Sequence, residues 1–197
     1  VLALRVLPRR FRSIAVFLSL ALGAGILAGG VQRLDNWSRS RQWKGFEILN
    51  ITDSVYGNLT LIQTGQEHSL FENGVLSFST KAGYSSEEIV HLPLLSHPAP
   101  RDVLLVGSAL DGSLKEILKH PVRSVNHVEL DPWGMRIAEE HLPGDVLAPL
   151  GDPRVHSAFA DARLLIKRSR QTYDVILLNI ADPLNAMLNR YYTKEFF

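Results

Sequence analysis

Residues 102–131, DVLLVGSALDGSLKEILKHPVRSVNHVELD, read as strand, glycine-bearing turn, helix, strand and acidic end. Residues 103–106 form an apolar run long enough for a buried strand and too short for a helix. Gly107 breaks the run, and Asp111-Gly112-Ser113 opens a helix through Lys119. Pro121 follows, where a ring that cannot continue a helix is tolerated. Residues 124–128 are the next strand, with Glu129 at its tip. Gly107 and Glu129 lie close to the ~20 residues apart that separate a nucleotide-binding turn from the carboxylate holding ribose hydroxyls. This unit predicts binding of an adenosine-containing small molecule.

On either side the chain alternates. Ser85-Ser86-Glu87-Glu88 starts a helix with hydroxyls and acids in its first turn, running toward Ser96 with Pro93 kinking or ending it. After residue 131 come a helix over Pro132–His141, a strand over Val155–Phe159, a helix over residues 162–170 and a strand over residues 173–178 ending at Asn179. Thr193 is placed to cap a last helix that the chain end truncates. Strands alternating with helices predict a parallel sheet with helices on both faces. Residues 46–80 differ: residues 47–52, Asn58–Thr64, residues 68–71 and Val75–Ser79 read as strands, punctuated by Gly57, Gly65-Gln66 and Asn73-Gly74. Asn-Gly between two β-runs marks a hairpin, because both residues tolerate positive φ. This is a small antiparallel unit.

The N-terminal part is different again. Residues 14–31 are uncharged and close to the ~20 residues that span a bilayer. Arg9, Arg10 and Arg12 just before them would by themselves orient the N-terminus inside, and Arg39, Arg41 and Lys44 on the other flank weaken that orientation. A transmembrane helix is the preferred reading; a signal peptide and a buried core helix are the others. Trp37 and Trp43 suit an interfacial belt. Residues 1–44 hold eight Arg/Lys against one acid, Asp35, out of 21 basic and 20 acidic residues in all, so the remainder is acidic. That balance excludes a nucleic-acid-binding profile; the acidic body is ordinary solubilising charge, or one that could accept a cation. Cysteine is absent, which excludes disulfides and thiolate metal sites. A chain that starts on Val and ends on Phe196-Phe197 reads as a piece of a longer protein. The expected divisions are residues 1–44, a basic flank and membrane helix; 45–81, a β domain; and 82–197, a nucleoside-binding domain truncated at its C-terminus.

Glu129, Asp161 and the run Asn179-Ile180-Ala181-Asp182 all fall at carboxyl ends of predicted parallel strands, the edge where open α/β sheets bind ligands. Glu129 suits a vicinal diol, and Asp161 an exocyclic adenine amine. Helix capping is the alternative for Asp161 and for Asp131, which precedes Pro132. The turn GSALDGS has two glycines and no following Lys-Ser/Thr, which suits a phosphate-free sulfonium nucleoside better than a dinucleotide or a nucleoside triphosphate.

These residues resemble the spermidine synthases (polyamine aminopropyltransferases), including the membrane-fused branch of that family. The resemblance is carried by residues 103–107, 111–120 and 128–132, by Asp152-Pro153-Arg154-Val155, Asp161-Ala162-Arg163, Tyr173-Asp174-Val175-Ile176 and Asp182-Pro183, and in the β-unit by Asp53-Ser54-Val55-Tyr56-Gly57 and Asn73-Gly74. It implies an α/β, Rossmann-like S-adenosylmethionine-dependent transferase fold with a small N-terminal antiparallel β domain, here preceded by a transmembrane helix. It implies decarboxylated S-adenosylmethionine or S-adenosylmethionine as co-substrate, no metal, and a small-molecule amine as acceptor. Gly107, Gly112, Glu129, Asp161, Ala162 and Pro183 are implied on the nucleoside, Asp53, Tyr56 and Asp182 on the amine, and Asn179 and Asp182 at the reacting centre. A homodimer is left open, and the implied location is a bacterial inner membrane with the transferase domain cytoplasmic. The chain departs from the family at the strand tip, where Asn179 replaces Asp, and at Lys81-Ala82, Ser85-Ser86, Ser77, Ala109 and Leu110. An amide is no general base near neutral pH. Methyl transfer to a non-polyamine, and ligand sensing without turnover beside a membrane transporter, are therefore the alternatives.

Overall fold

The computed structural model describes residues 9–81, 83–183 and 186–196. Ala82 and Phe197, used in the sequence reading, lie outside them. The chain divides into two compact units, Val1–Gly45 and Phe46–Phe197.

In the first unit, α1 (Arg9–Leu27) and α2 (Gly30–Gln42) are separate helices. The uncharged run of residues 14–31 is therefore not one continuous helix. Gly29 takes φ 77°, a left-handed conformation open to glycine. A Cβ on Gly30 would lie 2.6 Å from the Gly25 carbonyl oxygen. Two glycines thus let the chain turn by 74°. Among the described residues no single helix is long and apolar enough to cross a membrane; Ser13–Leu27 and Gly30–Gln42 reach that length and composition only as a bent pair. Trp37 is exposed but Trp43 is buried, so the expected pair of interfacial tryptophans reduces to one.

The second unit holds two sheets. Strands β1 (Glu47–Asp53), β2 (Asn58–Thr64), β3 (Glu67–Glu72) and β4 (Val75–Ser79) form an antiparallel sheet in chain order. At the β3–β4 turn Asn73 and Gly74 take φ 52° and 79°, the two positive values a two-residue hairpin turn requires. Leu70 pairs with Phe78 and Phe71 with Leu76, so Ser77 is the extra residue of a β-bulge.

The chain continues through α3 (Gly83–Ser96), β5 (Asp102–Gly107), α4 (Ser113–Ile117), β6 (Ser124–Glu129), α5 (Pro132–His141), α6 (Gly144–Leu147), β7 (Val155–Phe159), α7 (Ala162–Arg168), β8 (Val175–Asn179) and α8 (Ala186–Asn189). Pro93 sits inside α3 without ending it. After Thr193, residues 194–196 form a turn in which the Phe196 N–H donates to the Thr193 carbonyl at 3.0 Å. The second sheet is parallel, in the order β7-β6-β5-β8. Strand order reverses between β5 and β8, which makes their carboxyl ends the switch point of the sheet.

Strand β5 is buried on both faces. Val103 and Leu105 join Val90 and Leu94 of α3 and Leu114 and Ile117 of α4. Leu104 and Val106 join Val128, Ala162 and Tyr191 on the other face. That two-sided burial is why residues 103–106 read as an unbroken apolar run. A third cluster joins Leu59, Leu61, Leu70 and Phe78 of the antiparallel sheet to Leu110, Met135, Ile137 and Ala138. The antiparallel sheet therefore packs on α5 and on the turn after β5, which sets the β3–β4 hairpin beside the carboxyl edge of the parallel sheet.

Gly107 has φ 93°, and a Cβ there would lie 2.1 Å from the Asn179 carbonyl oxygen. Gly107→Ala is expected to cost roughly 2–4 kcal/mol in chemical denaturation. Gly144→Ala, whose added Cβ meets nothing within 4 Å, is expected to be neutral or to stabilise by up to about 1 kcal/mol.

Candidate functional site

The carboxyl ends of β5, β6 and β8 face the β3–β4 hairpin across a cleft of about 200 Å³. Gly107 and Ser108, Glu129 and Asp131, and Asn179 line one side, with Tyr56, Glu72 and Ser77 opposite. Met187, Leu188 and Tyr191 supply an apolar wall. The acids Glu72, Glu129 and Asp131 all line it, while among the described residues no Lys, Arg or His does. The lining is therefore suited to a cationic or hydroxyl-bearing ligand and ill suited to an anion.

Glu129 ends β6, and its Oε1 accepts the Leu130 N–H at 2.9 Å. Removal from water pushes its carboxyl up to about 7, with the Glu72 carboxylate adding to the rise. Glu72 ends β3 and accepts the Ser77 hydroxyl at 2.8 Å. It is exposed at the cleft mouth, yet the surrounding protein still raises its carboxyl above the ordinary value; the Ser77 bond opposes that rise and Asp131 adds to it. Asp131 is buried and caps α5, accepting the Trp133 N–H at 3.0 Å. That capping is the local reason the chain turns from β6 into a helix beginning with Pro132.

The β5 turn is held from two sides. His127, fully buried on β6, has Nε2 at 3.0 Å from the Gly107 carbonyl and Nδ1 at 3.1 Å from Ser157 Oγ. A carbonyl only accepts, so Nε2 carries the proton and Ser157 donates to Nδ1. Burial lowers the pKa of His127 and keeps the ring neutral. On the other side, Ser108 N–H donates to the Asn179 carbonyl at 3.0 Å. Asn179 Nδ2 lies 2.7 Å from the Ser108 carbonyl, 2.8 Å from Asp111 Oδ2 and 3.0 Å from Ser113 Oγ. Three oxygens around one nitrogen fix the amide with its NH2 inward. Asp111 is occupied as well, since its Oδ1 accepts the Ser113 N–H and its Oδ2 the Ser113 hydroxyl.

Of the residues expected at the site, Gly107, Glu129, Ala162, Asn179 and Tyr56 line the cleft. Asp161, Gly112, Asp182, Pro183 and Asp53 are not in its lining. Asp161 caps α7, accepting from Arg163 N–H and Leu164 N–H, and pairs with Arg190 at 2.6 Å; the cleft wall at that level is Ala160 and Ala162. Gly112, with φ 102°, precedes α4. Asp182 and Pro183 are exposed, and Asp53 accepts from Asn58 Nδ2 at 2.7 Å. Sequence reasoning missed Glu72, Met187, Leu188 and Tyr191. Glu72 had a signal, an acid at a strand end against an Asn-Gly turn; the residues around α8 had none, because four helical residues show no period.

The spermine/spermidine synthase domain family matches residues 83–197 of this chain. The polyamine aminopropyltransferase of Bacillus subtilis is 32% identical over 171 residues, covering 82% of this chain and 61% of that protein. That of Korarchaeum cryptofilum is 37% identical over 111 residues, covering 56% of this chain and 34% of that protein. The chain thus spans less than two thirds of the length of these relatives. A spermidine synthase solved in complex with the transition state analogue AdoDATO superposes with a TM-score of 0.68 at 23% identity, over 76% of this chain and 52% of that one. Spermidine synthase from Thermotoga maritima gives 0.61 at 22%, over 68% and 48%. These structures share the fold.

Two outcomes test the site's electrostatics. The raised carboxyl of Glu129 binds its proton more tightly when folded, so its contribution to stability is full below about 4.5 and is lost as pH rises through about 7. Glu129→Gln should therefore gain on the wild type by on the order of 2–3 kcal/mol between pH 5 and pH 8, read from urea denaturation at both. Asn179→Asp would set a carboxylate against the Ser108 carbonyl and Asp111. It is expected to cost roughly 2–4 kcal/mol, and Asp111→Asn in the same chain should recover at least half, a coupling read from the double-mutant cycle.

Proposed function

Because the chain belongs to the spermine/spermidine synthase domain family, we propose that its cleft binds decarboxylated S-adenosylmethionine and transfers the aminopropyl group to a small-molecule amine. The observation that carries this reading is Glu129 at the tip of β6, across the β5 turn, in a cleft lined by acids and by no base among the described residues. Glu129 accepts hydrogen bonds from both ribose hydroxyls. The Gly107 turn lets the nucleoside approach the backbone, and Ala160 and Ala162 make room for the adenine beside it.

In the transfer the amine nitrogen attacks the carbon next to the sulfonium. The carbon–sulfur bond breaks, its electron pair stays on sulfur, and neutral methylthioadenosine leaves. The amine must arrive unprotonated or lose a proton, and Asn179 cannot take it. Its inward-turned NH2 and the fully bonded Asp111 leave no free carboxylate at the tip of β8. That observation favours a second reading, in which the same cleft uses S-adenosylmethionine for methyl transfer or holds an adenosyl ligand without turnover.

The finer reading of location belongs here as well. Helix α1 exposes apolar side chains on every side, among them Phe17, Leu18, Leu20, Leu22 and Leu27, and is followed by Arg33, Arg39, Arg41 and Lys44. Both features support attachment to a bacterial inner membrane with the transferase unit cytoplasmic.

Incubation of the chain with each adenosyl donor and putrescine separates the readings. Release of methylthioadenosine is the expected result. Release of S-adenosylhomocysteine instead supports methyl transfer, and saturable binding without product supports a binding role. An absence of binding to any adenosyl compound would sink the whole assignment.

A further inference from the structure

We infer that Glu72, on the β3–β4 hairpin, recognises the positive charge of the ligand's alkyl arm, a role that a carboxylate elsewhere in the cleft does not fill. The inference rests on the reading of the cleft as an adenosyl-donor site and goes on to name which residue selects the cation.

Several features of the hairpin fix where Glu72 stands. It is the last residue of β3, paired with Val75 across the Asn73-Gly74 turn. The turn is tied down, because Asn73 Oδ1 accepts the Asn58 N–H at 3.0 Å. It also lies so close to Gly57 that a Cβ there would sit 2.1 Å from Asn73 Oδ1. The bulge at Ser77 interrupts the ladder and brings the Ser77 hydroxyl onto Glu72. Bulges re-aim side chains next to sites, and here one carboxylate is held toward the parallel sheet.

Opposite Glu72, between the hairpin and the β5 turn, lies a recess of about 20 Å³ that also touches Ser77, Ser108, Leu110, Glu129 and Asp131. That volume holds one group the size of a water or an ammonium. Ser108 Oγ in its wall is buried and has no hydrogen-bond partner. A primary ammonium placed there gains a carboxylate from Glu72 and an acceptor from Ser108.

The other acids are committed. Asp131 caps α5, Asp111 is bonded to Ser113 and Asn179, and Asp182 is not part of the cleft lining. Leu110, beside the recess, is buried and apolar. Glu129 is held by Leu130 and faces the ribose position. Glu72 accepts the neutral Ser77 hydroxyl through Oε1, and its second oxygen is left to meet a charge from the hairpin side of the recess. The same all-acid lining opposes a carboxylate on the arm, so a donor with an ammonium alone is preferred over one that also carries a carboxylate.

Titration calorimetry of the whole chain tests this with three ligands: decarboxylated S-adenosylmethionine, S-adenosylmethionine and neutral methylthioadenosine. The wild type should bind the decarboxylated donor most tightly. Glu72→Gln should weaken that donor by roughly tenfold or more, the scale of one lost charge-assisted contact, and leave methylthioadenosine within about twofold. The neutral ligand also reports that the variant is folded. Ser77→Ala, which keeps the charge, should hold the ratio of the two affinities within about threefold. Equal weakening of charged and neutral ligands by Glu72→Gln, or no change in either, overturns this inference and leaves the adenosyl reading standing. Failure of the wild type to bind any of the three overturns that reading, and the inference with it.

Discussion

The cleft depends on the contact between the ends of β5 and β8. With no Cβ on Gly107, the Asn179 carbonyl comes close enough to accept the Ser108 N–H. The Asn179 side chain then returns a hydrogen bond to the Ser108 carbonyl. Two strands already paired along their length are tied in both directions at their tips. Behind them, neutral His127 holds the Gly107 carbonyl. All of these groups are neutral except Asp111, and an amide at residue 179 is the side chain that can donate to a carbonyl and a carboxylate at once. The residue type at the strand tip is thus set by its neighbours as much as by any chemistry in the cleft.

On the open side of that junction the charges are unbalanced. Glu72, Glu129 and Asp131 face one another with no base in the lining among the described residues. Loss of water, with the repulsion of Glu72 added, pushes the Glu129 carboxyl up to about 7. Such a cleft carries a strain that a cation relieves, and binding of one favours the ionised carboxylates and releases protons. A preference for cationic ligands therefore arises from the arrangement of the acids, without a dedicated binding loop.

Much of the architecture was legible because its causes are local. Residues 103–106 read as a strand since both faces are buried, and Asn73-Gly74 read as a hairpin since its dihedral angles demand those residues. Glu129 was legible from its spacing to Gly107. Elsewhere local rules misled. The uncharged run of residues 14–31 suggested one long helix, but two adjacent glycines turn the chain within it. Asp161 and Gly112 sit at the right positions in the chain, yet hydrogen bonding turns the carboxylate of one to a helix end and to Arg190, and the other precedes a helix away from the lining.

By itself the sequence determined the order of strands and helices, the turn at Gly107, the acid at the tip of β6 and the absence of a carboxylate at the tip of β8. Each of these is written in residue types and spacings along the chain. Only the tertiary structure decided which acids share one cleft. Glu72 is 57 positions from Glu129 in the chain, and nothing local relates them. They meet because Leu59, Leu61, Leu70 and Phe78 bury against α5 and Leu110, which carries the hairpin over the sheet edge. The direction of the Asn179 amide was likewise invisible, since it is chosen by oxygens from Ser108, Asp111 and Ser113 that come together only when β5 and β8 lie side by side.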